Sequence, residues 1–103
     1  MHKILEETET AAYAYFQDFG FSTEEIEDLL KTGKRDIIQE LSKLRILIDQ
    51  EVRDTEKIDQ VLHALKGLFS QLGNRELADK VNEVRSEADP QKALVRIEKI
   101  LFV

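Results

Sequence analysis

The chain contains no cysteine, a single proline and only four glycines among its 103 residues. Without cysteine there is no disulfide framework, no thiolate-ligated zinc and no thiol nucleophile. That absence fits a reducing compartment, and a cytoplasmic protein is expected. One proline, few glycines and no serine-rich stretch leave little room for a disordered linker. Long apolar runs are also missing, so no membrane-spanning helix is expected. Acidic residues begin at Glu6 and no extended apolar segment follows them. A secretory leader is therefore not expected at this end. Basic residues are in deficit, 15 Lys and Arg against 21 Asp and Glu, for a net charge of -6. A general nucleic-acid surface needs clustered cations to displace counterions, so nucleic acid is disfavoured as a partner.

What is present is helical periodicity, with no strand alternation and no internal repeat. Residues 3–19 carry Ile4, Leu5, Thr8, Ala12, Tyr15, Phe16 and Phe19 at spacings of three and four, which make one apolar face. Gly20 stops this segment. Ser22 is a good N-cap with Glu25 as its capping-box partner, and Phe21 and Ile26 occupy the two staple positions. The helix it opens is expected to be short, ending near Thr32 where Gly33 interrupts. Ile37, Leu41, Leu44 and Ile48 mark a further helix over about 34–51. Asp54 or Thr55 caps the next one, whose stripe is Ile58, Val61, Leu62, Leu65, Phe69 and Leu72, with Gly73 closing it. Asn74 caps a helix that buries Leu77, Val81 and Val84. Asp89-Pro90 restarts the chain with an N-cap followed by proline at the first helical position, and Leu94, Ile97, Ile100 and Leu101 line the last helix. Short connections imply antiparallel neighbours. The expected fold is all-α in a single domain: an up-down four-helix bundle over 34–103, with an N-terminal helix pair over 1–33.

One helix has an unusual wet face. On an ideal wheel, His63 lands roughly 160° from the centre of the stripe formed by Ile58, Val61, Leu62, Leu65, Phe69 and Leu72. Asp59, Lys66, Gly67 and Ser70 share its face. Glycine in a helix interior costs about 1 kcal/mol relative to alanine, and Gly67 points away from the core, so close helix packing does not account for it. An exposed imidazole titrates near pH 6.5, so at neutral pH much of it is a free nucleophile. An ammonium one turn away would help neutralise an incoming phosphoryl group. No serine-histidine-aspartate arrangement can be drawn. His2 is the only other histidine, far off in sequence, and no metal-ligand spacing exists. The site reads as half a reaction centre, a nucleophile that borrows its catalyst from a partner.

The run His63-Ala64-Leu65-Lys66-Gly67 followed by Leu72-Gly73 resembles the signature of histidine-containing phosphotransfer domains, H-x-[LI]-K-G with a leucine or aromatic and a glycine closing the helix. The resemblance implies that His63 accepts the phosphoryl group on its outward ring nitrogen. It implies that Lys66 orients or neutralises that group, and that Gly67 leaves room for a partner's loops. Such domains relay phosphate between a sensor histidine kinase and the aspartate of a response-regulator receiver domain. The receiver supplies the carboxylates and the divalent metal, so this chain is expected to need no cofactor of its own and to act as a carrier rather than an enzyme. Family members often have small residues where this chain has Leu68 and Phe69, which puts the usual helix spacing in doubt. Glu56 and Asp59 on the histidine's face would repel a phosphohistidine or select partners with a basic rim. Tyr13 falls off the apolar face of the first helix, either as part of a docking surface or simply packed on the second helix. Two other readings remain open from the residues alone: a helical module that only binds protein, with an unused histidine, and a small enzyme with His63 as general base.

Overall fold

The computed structural model describes residues 2–103, and the described chain is all helical. Five helices follow in order: α1 (His2–Asp18), α2 (Thr23–Ile48), α3 (Thr55–Gln71), α4 (Arg75–Arg85) and α5 (Pro90–Leu101). The molecule is 46 Å long and 21 Å across. Its length is set by α2, whose 26 residues extend about 39 Å at 1.5 Å per residue.

The helix ends follow local chemistry. The amide of Phe21 donates to the carbonyl of Phe16 and that of Gly20 to Gln17, while Gly20 adopts φ +82°. This is a Schellman ending, and the rings of Phe16 and Phe21 stack across it at 5.2 Å. Ser22 then opens α2 through a complete capping box with Glu25. Asp54 caps α3, and Asp89 caps α5 with Pro90 in its first turn.

Gly33 does not interrupt the second helix. α2 runs unbroken through it, so the expected N-terminal helix pair is a single helix, α1, beside the N-terminal half of α2. The expected boundary between residues 33 and 34 falls inside a continuous helix. The reason is tertiary. Gly33 is buried, and a Cβ there would lie 2.6 Å from Leu72 Cδ1. The glycine admits a leucine from the end of α3, and flanking Leu30 and Ile37 are buried in the core. The helix-propensity cost of one glycine, about 1 kcal/mol, is outweighed by that packing.

Leu72, Gly73 and Asn74 together hold the N-terminal helices to the rest. Gly73 has φ +80°, and a Cβ on it would come within 2.5 Å of Tyr15 Cβ in α1. The Asn74 amide donates to Phe69 O (2.8 Å) and that of Gly73 to Ser70 O, a second Schellman ending. Asn74 Oδ1 accepts from the amide of Leu77 and so caps α4, while Nδ2 donates to Thr8 Oγ1 of α1 at 3.0 Å. Thr8 is fully buried and Asn74 nearly so. Both polar side chains are therefore satisfied out of water, as burial demands.

The core is continuous along the molecule and includes Ile26, Ile37, Leu41, Leu44, Leu65, Phe69 and Leu101, all at 1% exposure or less. Phe69 is a core residue and Leu68 is half-buried. At the far end Arg45 of α2 donates to both carboxylate oxygens of Glu98 on α5 (2.7 and 3.2 Å), and its guanidinium lies 4.7 Å over the Phe102 ring.

The glycines make a sharp test. Gly73→Ala is expected to lose about 2 kcal/mol or more, from the left-handed backbone and the clash with Tyr15. In chemical denaturation its midpoint should drop well below that of the parent. Gly33→Ala should also destabilise, since overpacking of about 1–3 kcal/mol exceeds the propensity gain. Pairing it with Leu72→Ala should recover part of the Gly33→Ala penalty in a double-mutant cycle.

Candidate phosphoacceptor site

α3 is fixed by its apolar side. Val61, Leu62, Leu65 and Phe69 are buried, and Ile58 is half-buried against them. This leaves His63 and Gly67 exposed on the opposite side, with Lys66 half-buried between them in sequence. Nothing lies within 4 Å of where a Gly67 Cβ would be. No contact inside the fold therefore requires a glycine there, in contrast with Gly33 and Gly73. Lys66 forms no ion pair or hydrogen bond among the described residues, so its ammonium is uncommitted.

Beside these residues α2 and α3 leave an open groove of about 390 Å³. His63, Ala64, Gly67, Leu68 and Gln71 line one wall, and Asp36, Gln39 and Glu40 the other. The two carboxylates on the α2 wall are paired along their own helix, Asp36 with Arg35 at 3.6 Å and Glu40 with Lys43 at 3.0 Å.

The ring itself has a partner that the sequence reading missed. Arg85, in the last turn of α4, donates from Nη1 to His63 Nδ1 at 2.9 Å. The same guanidinium is held by Asp59, with Nε donating to Oδ1 at 2.9 Å and Nη2 to Oδ2 at 3.3 Å. The connection joins residues one turn apart on α3 through a cation from the neighbouring helix. Arg85 keeps a quarter of its side chain exposed and Asp59 half. The hydrogen bond from Arg85 holds the Asp59 carboxyl below its usual range, with the charges of Arg85 and His63 adding to the effect and partial desolvation opposing it. Reciprocally, Asp59 raises the Arg85 guanidinium above its ordinary value. Nε2 of His63 has no hydrogen-bond partner among the described residues. Asp59 was expected on this face, but its link to the ring through Arg85 was not. The available clue was the hairpin: reversing the chain at Gly73 brings the last turn of α4 opposite Asp59 and His63.

His2 is almost fully exposed and pairs loosely with Glu6 at 3.9 Å, remote in sequence from His63. Among the described residues, no group of three or more His, Asp or Glu side chains is arranged to hold a metal ion. Tyr13 is half-buried against the core. Its hydroxyl is raised above the usual tyrosine range, first by desolvation and then by Glu27 and Glu9. Glu27 belongs to α2, so the Tyr13 hydroxyl feels the charge of that helix. No described helix is long and apolar enough to cross a membrane.

Comparisons with protein-family models, with curated proteins and with solved structures returned no match.

The Asp59–Arg85 pair has a pH signature. A carboxyl whose folded pKa is depressed contributes stability above its unfolded pKa and loses it as pH falls through the folded value. The thermal midpoint should therefore fall as the pH drops from about 5 towards 2. Asp59→Asn should show a smaller acid-induced fall. At neutral pH it should be less stable by under about 1 kcal/mol, since the pair is half-exposed.

Proposed function

We propose that this chain is a histidine phosphotransfer domain that carries a phosphoryl group on His63 between a sensor histidine kinase and the aspartate of a response-regulator receiver domain. The observation that carries the reading is the combination within one turn of α3: an exposed imidazole with a free Nε2, an uncommitted lysine three residues on, and a glycine that the fold itself does not require. Each has a use in phosphoryl transfer. Nε2 is the attacking and leaving atom, Lys66 offsets charge on the transferring oxygens, and Gly67 lets another protein's active-site loops reach the ring. The transfer needs little covalent machinery from this side, because it depends on positioning and charge stabilisation, and the receiver brings the carboxylates and the divalent metal. The chain is a carrier rather than an enzyme.

The same reading assigns α2 to α5 to an up-down antiparallel four-helix bundle with α1 laid along it. The Arg45–Glu98 contact between α2 and α5 and the α3–α4 pairing through Asp59 and Arg85 support that arrangement.

A small donor and a protein partner separate chemistry from access. In a His2→Gln background, phosphoramidate is expected to deposit an acid-labile, base-stable phosphate that disappears in His63→Gln. Receiver domains supplied with magnesium should then discharge it. Retention of the label in His63→Gln overturns the reading, and failure of every receiver to discharge the label favours a protein-binding module with an unused histidine. Gly67→Ala should be up to about 1 kcal/mol more stable in thermal melts and should react normally with phosphoramidate. Its discharge to a receiver should be slower by about tenfold, the equivalent of a small steric cost of about 1.4 kcal/mol.

A further inference from the structure

We propose that Arg85 sets the tautomer of His63 and latches the phosphoryl group on the ring, an inference that rests on the phosphotransfer reading. A guanidinium has five donors and no acceptor. Its 2.9 Å contact with Nδ1 can only be a hydrogen bond given to the lone pair of that nitrogen. In the neutral ring the single proton then resides on Nε2. Asp59 prevents Arg85 from turning away, because it takes the Nε and Nη2 protons and leaves Nη1 aimed at the imidazole.

The consequence differs before and after phosphorylation. An Nε2–H nitrogen has no in-plane lone pair to offer. For His63 to accept, Arg85 must release Nδ1 and the proton must move from Nε2 to Nδ1. The Nε2 lone pair then forms the N–P bond as the donor's bond to phosphorus breaks, and the leaving group departs with that electron pair. The Nδ1 proton is lost afterwards, giving a phosphohistidine with an uncharged ring whose Nδ1 again bears a lone pair. This is the form that Arg85 fits. Breaking the N–P bond is easiest when Nδ1 is protonated, because the ring then leaves as neutral imidazole. Arg85 competes with that proton for the same lone pair. It therefore slows loading and also spontaneous hydrolysis, and the carrier holds its phosphate until a partner displaces the guanidinium. Arg85 is a positioning residue, since it acts through the opposite ring nitrogen.

The charge of Arg85 alone would not fix the tautomer, which makes the tautomer a direct readout. Long-range proton–nitrogen correlation spectra of the unphosphorylated protein, at about pH 8 where imidazoles are neutral, should show His63 Nδ1 as the unprotonated nitrogen and Nε2 as the protonated one. Arg85→Ala and Arg85→Gln should move both resonances toward the exchange average of a free imidazole. Asp59→Asn should do so partly, with Arg85 still present. If the parent already shows the averaged pattern, or if it is unchanged in Arg85→Ala, the tautomer assignment is overturned whatever the phosphorylation results.

Phosphoramidate loading in the His2→Gln background then reads the latch. The donor's N–P bond breaks as the ring's forms, ammonia leaves with that bond's electron pair, and the Nδ1 proton passes to it or to water afterwards. Arg85→Ala should load about fivefold faster and lose its phosphate about fivefold faster, as expected for one charge-assisted hydrogen bond at a part-exposed site. Equal lifetimes with and without Arg85 overturn the latch. Absence of any His63 phosphate in parent and variants alike overturns the phosphotransfer reading instead, with the tautomer result standing separately.

Discussion

The reversal at Leu72-Gly73-Asn74 is the constraint on which the rest of the structure depends. Three consecutive residues each make a tertiary contact: Leu72 enters the space left by Gly33 on α2, Gly73 gives way to Tyr15 on α1, and Asn74 binds Thr8 on α1 while capping α4. The turn is tight because Gly73 takes a left-handed backbone conformation. A tight turn makes α3 and α4 antiparallel neighbours with a fixed register. That register brings Arg85 alongside Asp59 and His63. The chemistry proposed for the ring is thus set by a packing event some ten residues away from it in sequence on either side.

Much of the fold was legible because helix ends are local. Ser22, Asp54, Asn74 and Asp89 each cap a helix by reaching an amide two or three residues ahead. Gly20 and Gly73 end helices through bonds that span five residues. The apolar stripes likewise predicted which side chains are buried, from Ile37 and Leu41 to Leu77 and Val81. Gly33 was misread for a reason of the same kind in reverse. By propensity alone it breaks a helix, and only the arrival of Leu72 from far along the chain makes its missing side chain an advantage. Phe19 marks a smaller difference: it continues the spacing of the α1 stripe yet lies 65% exposed, because α1 ends at Asp18 and the chain turns there.

The candidate site shows the same division. The exposure of His63 and Gly67 follows from the wheel, since the buried stripe dictates the opposite face. The Arg85 contact does not follow from any local pattern, because it crosses between helices and joins residues 22 apart. It also changes the meaning of Asp59. Read along α3, Asp59 is a negative charge that would repel a phosphohistidine. With Arg85 bound to it, the carboxylate is neutralised and becomes an anchor that aims a cation at the ring. Glycines separate into two kinds by the same test: Gly33 and Gly73 are filled by neighbours, whereas Gly67 faces open space.

The central claim is that His63 carries phosphate on its outward nitrogen, with Nδ1 left to Arg85. Phosphorus–proton correlation spectra of the phosphorylated chain identify the bonded nitrogen directly. The account predicts a single phosphohistidine at residue 63 with phosphorus on Nε2. Phosphorus on Nδ1, or on a residue other than His63, would contradict it.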